Sequence, residues 1–190
     1  MPGQRTAQPA ADLARTVVFA AFIAVLGLFP GLFIAGAAVP VVLQNMGPLL
    51  AGSILGARRA GASVLLFLAL VAIGLPLLSG GRGGIAPFAG PSGGFVLGWL
   101  LSAVVVGLIV QRGLPRPRLP LLLLANFAGI AVDYLVGIPY WAAFTGDLGA
   151  AAVQSLVFLP GDAVKLVAVS LVAAAVHRAL PVATSRPAGS

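Results

Sequence analysis

Four acidic side chains occur in the 190 residues, Asp12, Asp133, Asp147 and Asp162, and neither glutamate nor cysteine is present. Asp133 and Asp162 fall inside apolar sequence, where an ionisable group costs about 2.5–3.5 kcal/mol on membrane-insertion scales and so needs a reason to be there. Asp162 and Lys165 stand three residues apart after Leu159-Pro160-Gly161, so a helix carries both on one face. There they can reach a shared ligand, or each other in a salt bridge that neutralises two buried charges. Pro160-Gly161 predicts a helix N-terminus at this point, whose free N–H groups and dipole add a preference for negative charge.

Other polar groups fall at a matching depth. Asp133 and Tyr134 lie about 14 residues into a helix starting at Leu119, roughly 21 Å along it at 1.5 Å per residue. Asn126, seven residues before Asp133, shares its face and serves either a ligand or a neighbouring helix. Asp133 also fits a position at the water interface. Gln44 adds a neutral donor and acceptor near the end of an earlier segment. Trp141, Tyr140 and Trp99 line a pocket or belong to an interfacial aromatic belt. Between the third and fourth segments, residues Ser79 to Gly94 are rich in glycine, with Ser79, Arg82, Gly83 and Gly84 at the start. This reads as an ordered loop that brings backbone N–H groups near a ligand, with a flexible linker as the alternative. A carboxylate, a cation, an amide, a phenol and a backbone-rich loop among apolar walls suit a small amphipathic molecule.

The elements that must position these groups are membrane helices. Hydrophobic residues make up 60% of the chain and charged residues 8%, against about 45–50% and about 25% in soluble domains. Six apolar segments are predicted as helices: Leu13–Phe33, Val39–Gly56, Gly61–Leu78, Gly93–Gln111, Leu119–Phe144 and Ala150–Leu180. Leu159-Pro160-Gly161 divides the last into a short piece and a long one starting near Asp162. The strand alternation of a β-barrel is absent from runs such as Ala62–Ile73. The expectation is a single all-α integral membrane domain over residues 1–190, with flexible cytoplasmic tails at 1–12 and 181–190.

Cations set the orientation. Arg5, Arg15, Arg58, Arg59, Arg112, Arg116, Arg118, Arg178 and Arg186, nine of the eleven lysines and arginines, fall on one side if both termini are cytoplasmic. Their spread over four separate flanks argues against a nucleic-acid surface despite the net charge of +7. Enzyme classes thin out too. No G-x-x-x-x-G-K-S/T phosphate loop occurs, and a Ser-His-Asp set would need His177, placed at the cytoplasmic edge away from Asp133 and Asp162. The lone histidine and missing cysteines leave no metal site and imply no cofactor. On the first segment Ala20, Ala24, Gly27 and Gly31 form a small-residue strip, for packing within the chain or against another membrane helix.

Five blocks carry a family resemblance: Val39-Pro40-Val41-Val42-Leu43-Gln44; the run from Leu50 to Gly61; Ala72-Ile73-Gly74-Leu75-Pro76; Gly90-Pro91-Ser92-Gly93-Gly94-Phe95; and Phe158-Leu159-Pro160-Gly161-Asp162-x-x-Lys165. In this order, over roughly residues 15–178, they resemble BioY, the biotin-specific substrate-binding subunit of energy-coupling-factor (ECF) transporters. The resemblance implies a six-helix vitamin-capture subunit, not an enzyme, in the bacterial cytoplasmic membrane. It implies biotin as the transported ligand, and as partners a transmembrane coupling subunit and two cytoplasmic ATPases. The family's acid and lysine map onto Asp162 and Lys165, and its coupling-subunit contact, alanines four apart on the first helix, maps onto Ala20 and Ala24. On that reading Asp162 accepts from the ureido N–H groups and Lys165 donates to the ureido carbonyl. The valerate carboxylate meets Arg82 or the loop N–H groups near Ser79, Gly83 and Gly84. Gln44 and Tyr134 are further candidates, with Trp141 as a wall. The alternatives are the same architecture with another vitamin, a stand-alone carrier, and a membrane enzyme or scaffold.

Overall fold

The computed structural model of the chain describes residues 7–31, 39 and 41–179. Of the expected tails, 1–6 and 181–190 lie outside the described residues, as does Pro40; residues 7–12 already belong to the first helix. Every regular element described is helical: α1 (Ala7–Leu26), α2 (Met46–Leu55), α3 (Ala57–Ala72), α4 (Ala86–Ala89), α5 (Gly93–Val110), α6 (Leu119–Thr145), α7 (Leu148–Ser155) and α8 (Leu159–Ala179). Short 3-10 turns follow α5 and precede α8. Four stretches are long and apolar enough to cross a bilayer, Pro9–Leu26, Gly93–Gly113, Leu119–Thr145 and Leu148–Ala179, and α2 is a shorter apolar helix.

Local chemistry explains most of the ends. α6 begins with Pro120 in its first turn and stops at Gly146, a left-handed cap (φ 72°) whose N–H reaches Ala142 O. Asp147 then caps α7, its carboxylate accepting from the N–H groups of Gly149 (2.8 Å) and Ala150 (3.1 Å), which accounts for this acid structurally. The expected division of the last segment is present, but the break is the 3-10 turn Leu156–Phe158 and α8 starts at Leu159, three residues before Asp162. Pro160 sits in the first turn of α8, where its missing N–H disturbs nothing.

The second segment departs most from expectation. Its helix starts at Met46, not Val39, and residues 41–45 run outside any helix. Gly56 alone joins α2 to α3 at φ 78°, and a Cβ there would lie 2.7 Å from Gln111 Nε2. At the same end, Asp12 of α1 pairs with Arg59 of α3 at 2.8 Å.

Two buried clusters build the body: Ile23, Val64, Phe67, Val71 and Trp99 join α1, α3 and α5, while Leu49, Val106, Leu122, Ala125, Val169 and Ala173 join α2, α5, α6 and α8. Glycines at 94, 98, 129 and 137 let α5 and α6 approach so closely that a Cβ at Gly98 would strike the Asp133 carboxylate, and one at Gly137 the Phe95 ring. A third cluster, Val39, Phe95, Trp141, Ala151 and Phe158, closes the end where α5 and α8 begin. The outward side chains are themselves apolar, Leu28, Ile73, Leu135 and Val164 among them, as suits contact with lipid.

Candidate functional site

Residues 41–45, the first turns of α5 and α8, the middle of α6 and the loop after α3 meet around one cavity. About 550 Å³ of atom-free space lies there, part of it open to the outside. Val39, Val41, Val42, Phe95, Val96, Trp99 and Phe158 give it apolar walls; Gln44, Asn45, Arg82, Ser92, Asp133, Tyr134, Asp162 and Lys165 supply the polar groups.

Asp162 is the hub. Its Oδ1 accepts from Lys165 Nζ at 2.8 Å and from Asn45 Nδ2 at 3.1 Å, and its Oδ2 accepts from the Tyr134 hydroxyl at 2.8 Å. Lys165 also donates to Val42 O at 2.8 Å. Both partners of the ion pair are buried. A pair so placed is retained at a desolvation cost that its hydrogen bonds must offset. The non-helical course of 41–45 now has its reason: a helix there would lock the Val42 carbonyl into its own ladder, away from Lys165. The Tyr134 ring stands edge-on to Phe95, centroids 6.1 Å apart.

Arg82 lies on the loop flank of the cavity, its Nε donating to Ser79 O at 3.1 Å and its Nη1 to Ser92 Oγ at 3.4 Å. Desolvation lowers its pKa from the ordinary arginine value, and a guanidinium keeps its charge at neutral pH regardless. The loop is ordered: Gly84 donates its N–H to Val71 O at 2.8 Å, and the Tyr140 hydroxyl donates to Phe88 O at 2.6 Å.

Of the residues singled out in the sequence, Asp162, Lys165, Tyr134, Arg82 and Gln44 come together on the cavity. Gln44 reaches it as a brace whose amide is already engaged: Nε2 donates to Ile23 O (2.9 Å) and Leu77 O (2.8 Å), and Oε1 accepts from Ser79 N (3.0 Å). Ser79, Gly83, Gly84 and Trp141 are not among the lining residues. Ser79 donates its hydroxyl to Phe29 O at 2.7 Å, and Gly83 packs against the Leu75 carbonyl. Trp141 is fully buried behind the wall, 6.4 Å from Phe95 and 6.3 Å from Phe158 between ring centroids. Trp99 is the tryptophan on the cavity, and Tyr140 pins the loop.

Asn126 packs helices together, bonding Ser53 Oγ, Ser170 Oγ and Leu122 O. Ala20 is 3% exposed and lies in the core with Ala24 packed on the same cluster, so this strip is occupied within the chain. The exposed face of α1 carries Ala10, Ala14, Val17, Ala21 and Val25. Asn45, Ser92, Phe95 and Phe158 were not anticipated. Asn45 adjoins Gln44, Ser92 sits in the glycine-rich loop, and Phe95 and Phe158 stand in two of the family blocks, signals that existed without a site role being read from them.

The family model described as BioY family matches residues 3–182. A biotin transporter BioY of Rhizobium etli is 43% identical over 182 residues, covering 92% of this chain and 97% of that protein. One from Rhodobacter capsulatus is 42% identical, covering 86% and 92%, and one from Lactococcus lactis is 37% identical, covering 84% and 87%. A crystal structure of the S-component for biotin from an ECF-type ABC transporter superposes with a TM-score of 0.87 at 32% identity, covering 93% of this chain and 95% of that one.

Proposed function

The chain belongs to the BioY family, and from that membership we propose that it is the biotin-capturing component of an ECF-type transporter and holds its ligand in the cavity around Asp162. One observation carries the reading. The match to a biotin S-component extends over nearly the whole of both chains, and this chain's bundle carries a cavity with a donor and acceptor set among apolar walls.

Biotin offers two ureido N–H donors, one ureido carbonyl, an apolar thioether ring and a carboxylate. Lys165 has a third ammonium proton beyond those given to Asp162 and Val42, and it donates this to the ureido carbonyl. Asp162 has one acceptor position beyond its three present donors and receives a ureido N–H there. Phe95, Phe158 and Trp99 enclose the ring system. Arg82, at the loop flank, meets the valerate carboxylate in a charge-assisted bond. Gln44 and Ser79 hold that flank in place; the N–H of Gly84 is engaged within the fold.

The wider assembly follows the same reading. The chain is a multi-pass protein of the bacterial cytoplasmic membrane, with six crossings and both termini cytoplasmic, and it works with a transmembrane coupling subunit and two ATPases. The face of α1 free to meet that coupling subunit is the one bearing Ala14, Val17 and Ala21.

Titration of the detergent-solubilised protein with biotin tests the proposal. Trp99 emission should change in a saturable manner, thiamine and riboflavin should leave it unchanged, and Trp99→Phe should remove the signal while Trp141→Phe retains it. Absence of saturation with biotin, or equal responses to all three vitamins, would refute it.

A further inference from the structure

Asp133 lines the cavity, is 7% exposed, and no hydrogen bond reaches its carboxylate among the described residues. Its Oδ1 is pressed against Gly98, where a methyl group would overlap it. Lys165 is already held by Asp162 and the Val42 carbonyl. A second buried acceptor on the same cavity is also unmet. Asn45 donates through Nδ2 to Asp162, which fixes the amide's orientation because a carboxylate can only accept, and this leaves Asn45 Oδ1 buried without a partner. Buried acceptors are nearly always satisfied in folded proteins, and an exception on a cavity wall marks the place of a donor that arrives from outside. The deep Ser53, Asn126 and Ser170 side chains, by comparison, satisfy one another.

We infer that Asp133 is a ligand-binding and specificity-determining residue, its carboxylate accepting the ureido N–H that Asp162 does not. The inference rests on biotin being the ligand, and it adds a second acid to the headgroup site. The two N–H groups of a cyclic urea diverge, so one carboxylate cannot serve both at good geometry; two carboxylates carried by different helices, α8 and α6, can. Gly98 belongs to the device, since its lack of a Cβ lets the carboxylate sit at the wall in that position.

Two cyclic carbamate analogues of biotin, in which one or the other ureido N–H is replaced by a ring oxygen, read this contact without changing ligand shape. Against the native protein each should bind about 10- to 100-fold more weakly than biotin, since each sets a ring oxygen against a carboxylate. Asp133→Asn should weaken biotin by a similar factor and regain affinity for the one carbamate whose oxygen faces the new amide, a selectivity reversal that a structural role would not produce. Gly98→Ala, which displaces the carboxylate without removing it, should weaken biotin and show no reversal. Should Asp133→Asn fail to fold, the native protein still decides: a carbamate that binds as tightly as biotin overturns the inference. So does Asp133→Asn with unchanged biotin affinity and no reversal. If the native protein does not bind biotin at all, the underlying functional reading falls and takes this one with it.

Discussion

Two polar regions are buried in this apolar bundle, and they are built differently. The inner one is built on hydroxyls and an amide that meet one another. Ser53, Asn126 and Ser170 bond one another, and His177 Nε2 lies 2.8 Å from Ser53 O, tying α2, α6 and α8 together. The outer one is charged and open. It sets Asp162, Lys165, Asp133 and Arg82 around atom-free space and, among the described residues, leaves acceptors on Asp133 and Asn45 without donors. The inner hydroxyls and amide satisfy one another and contribute packing and register, and the Nδ1 of His177 beside them, without a partner among the described residues, does not line the charged cavity. A cluster with charges, space and unmet acceptors carries a desolvation cost that a ligand can relieve. Burial of polar groups alone therefore does not mark the site.

Breaking the hub of the outer region should have the largest effect. Asp162→Asn leaves Lys165 without its counter-charge and turns one acceptor oxygen into a donor, so biotin affinity should fall by at least about 100-fold, or about 3 kcal/mol. The double substitution Asp162→Asn with Lys165→Met should recover thermal stability lost in the single variant yet not the affinity, which calorimetry and a melting curve separate. Next in size, Asn126→Ala at the inner region should destabilise the fold by about 1–3 kcal/mol through the unpaired Ser53 and Ser170 while changing biotin affinity by less than about twofold, so stability and binding part in opposite directions at the two regions. Tyr134→Phe removes one hydrogen bond to Asp162 and should cost about 1–2 kcal/mol of biotin affinity. Arg82→Ala, at a partly solvated position, should have the smallest effect, about threefold to tenfold for biotin and none for biotin methyl ester, because the partner it loses is the ligand carboxylate.

The long helices were legible because their limits are punctuated. Gly93 and Leu119 start α5 and α6 as the sequence indicated, after a glycine-rich loop and before Pro120. The stretch before α2 was not, since Val39 to Leu43 is as apolar in sequence as a helix, and the non-helical course of residues 41–45 goes with the bond from Lys165 to Val42 O, which spans 123 positions in the chain. Asp162 and Lys165 were readable from a three-residue spacing on one helix. Asn45 joins them across 117 positions, a contact that no local pattern encodes. Ala20 and Ala24 illustrate the converse: a small-residue spacing says that something packs closely there, and the fold decides that it is the chain's own core.

The central claim is that the charged outer cavity, and not the inner hydroxyl and amide cluster, holds the vitamin headgroup. A crystal structure of the protein with bound biotin tests it most directly. The ureido ring is expected within hydrogen-bonding distance of Asp162 and Lys165, with the ring system against Phe95 and Phe158. A ureido ring found elsewhere, with the Asp162–Lys165 pair untouched, would contradict it.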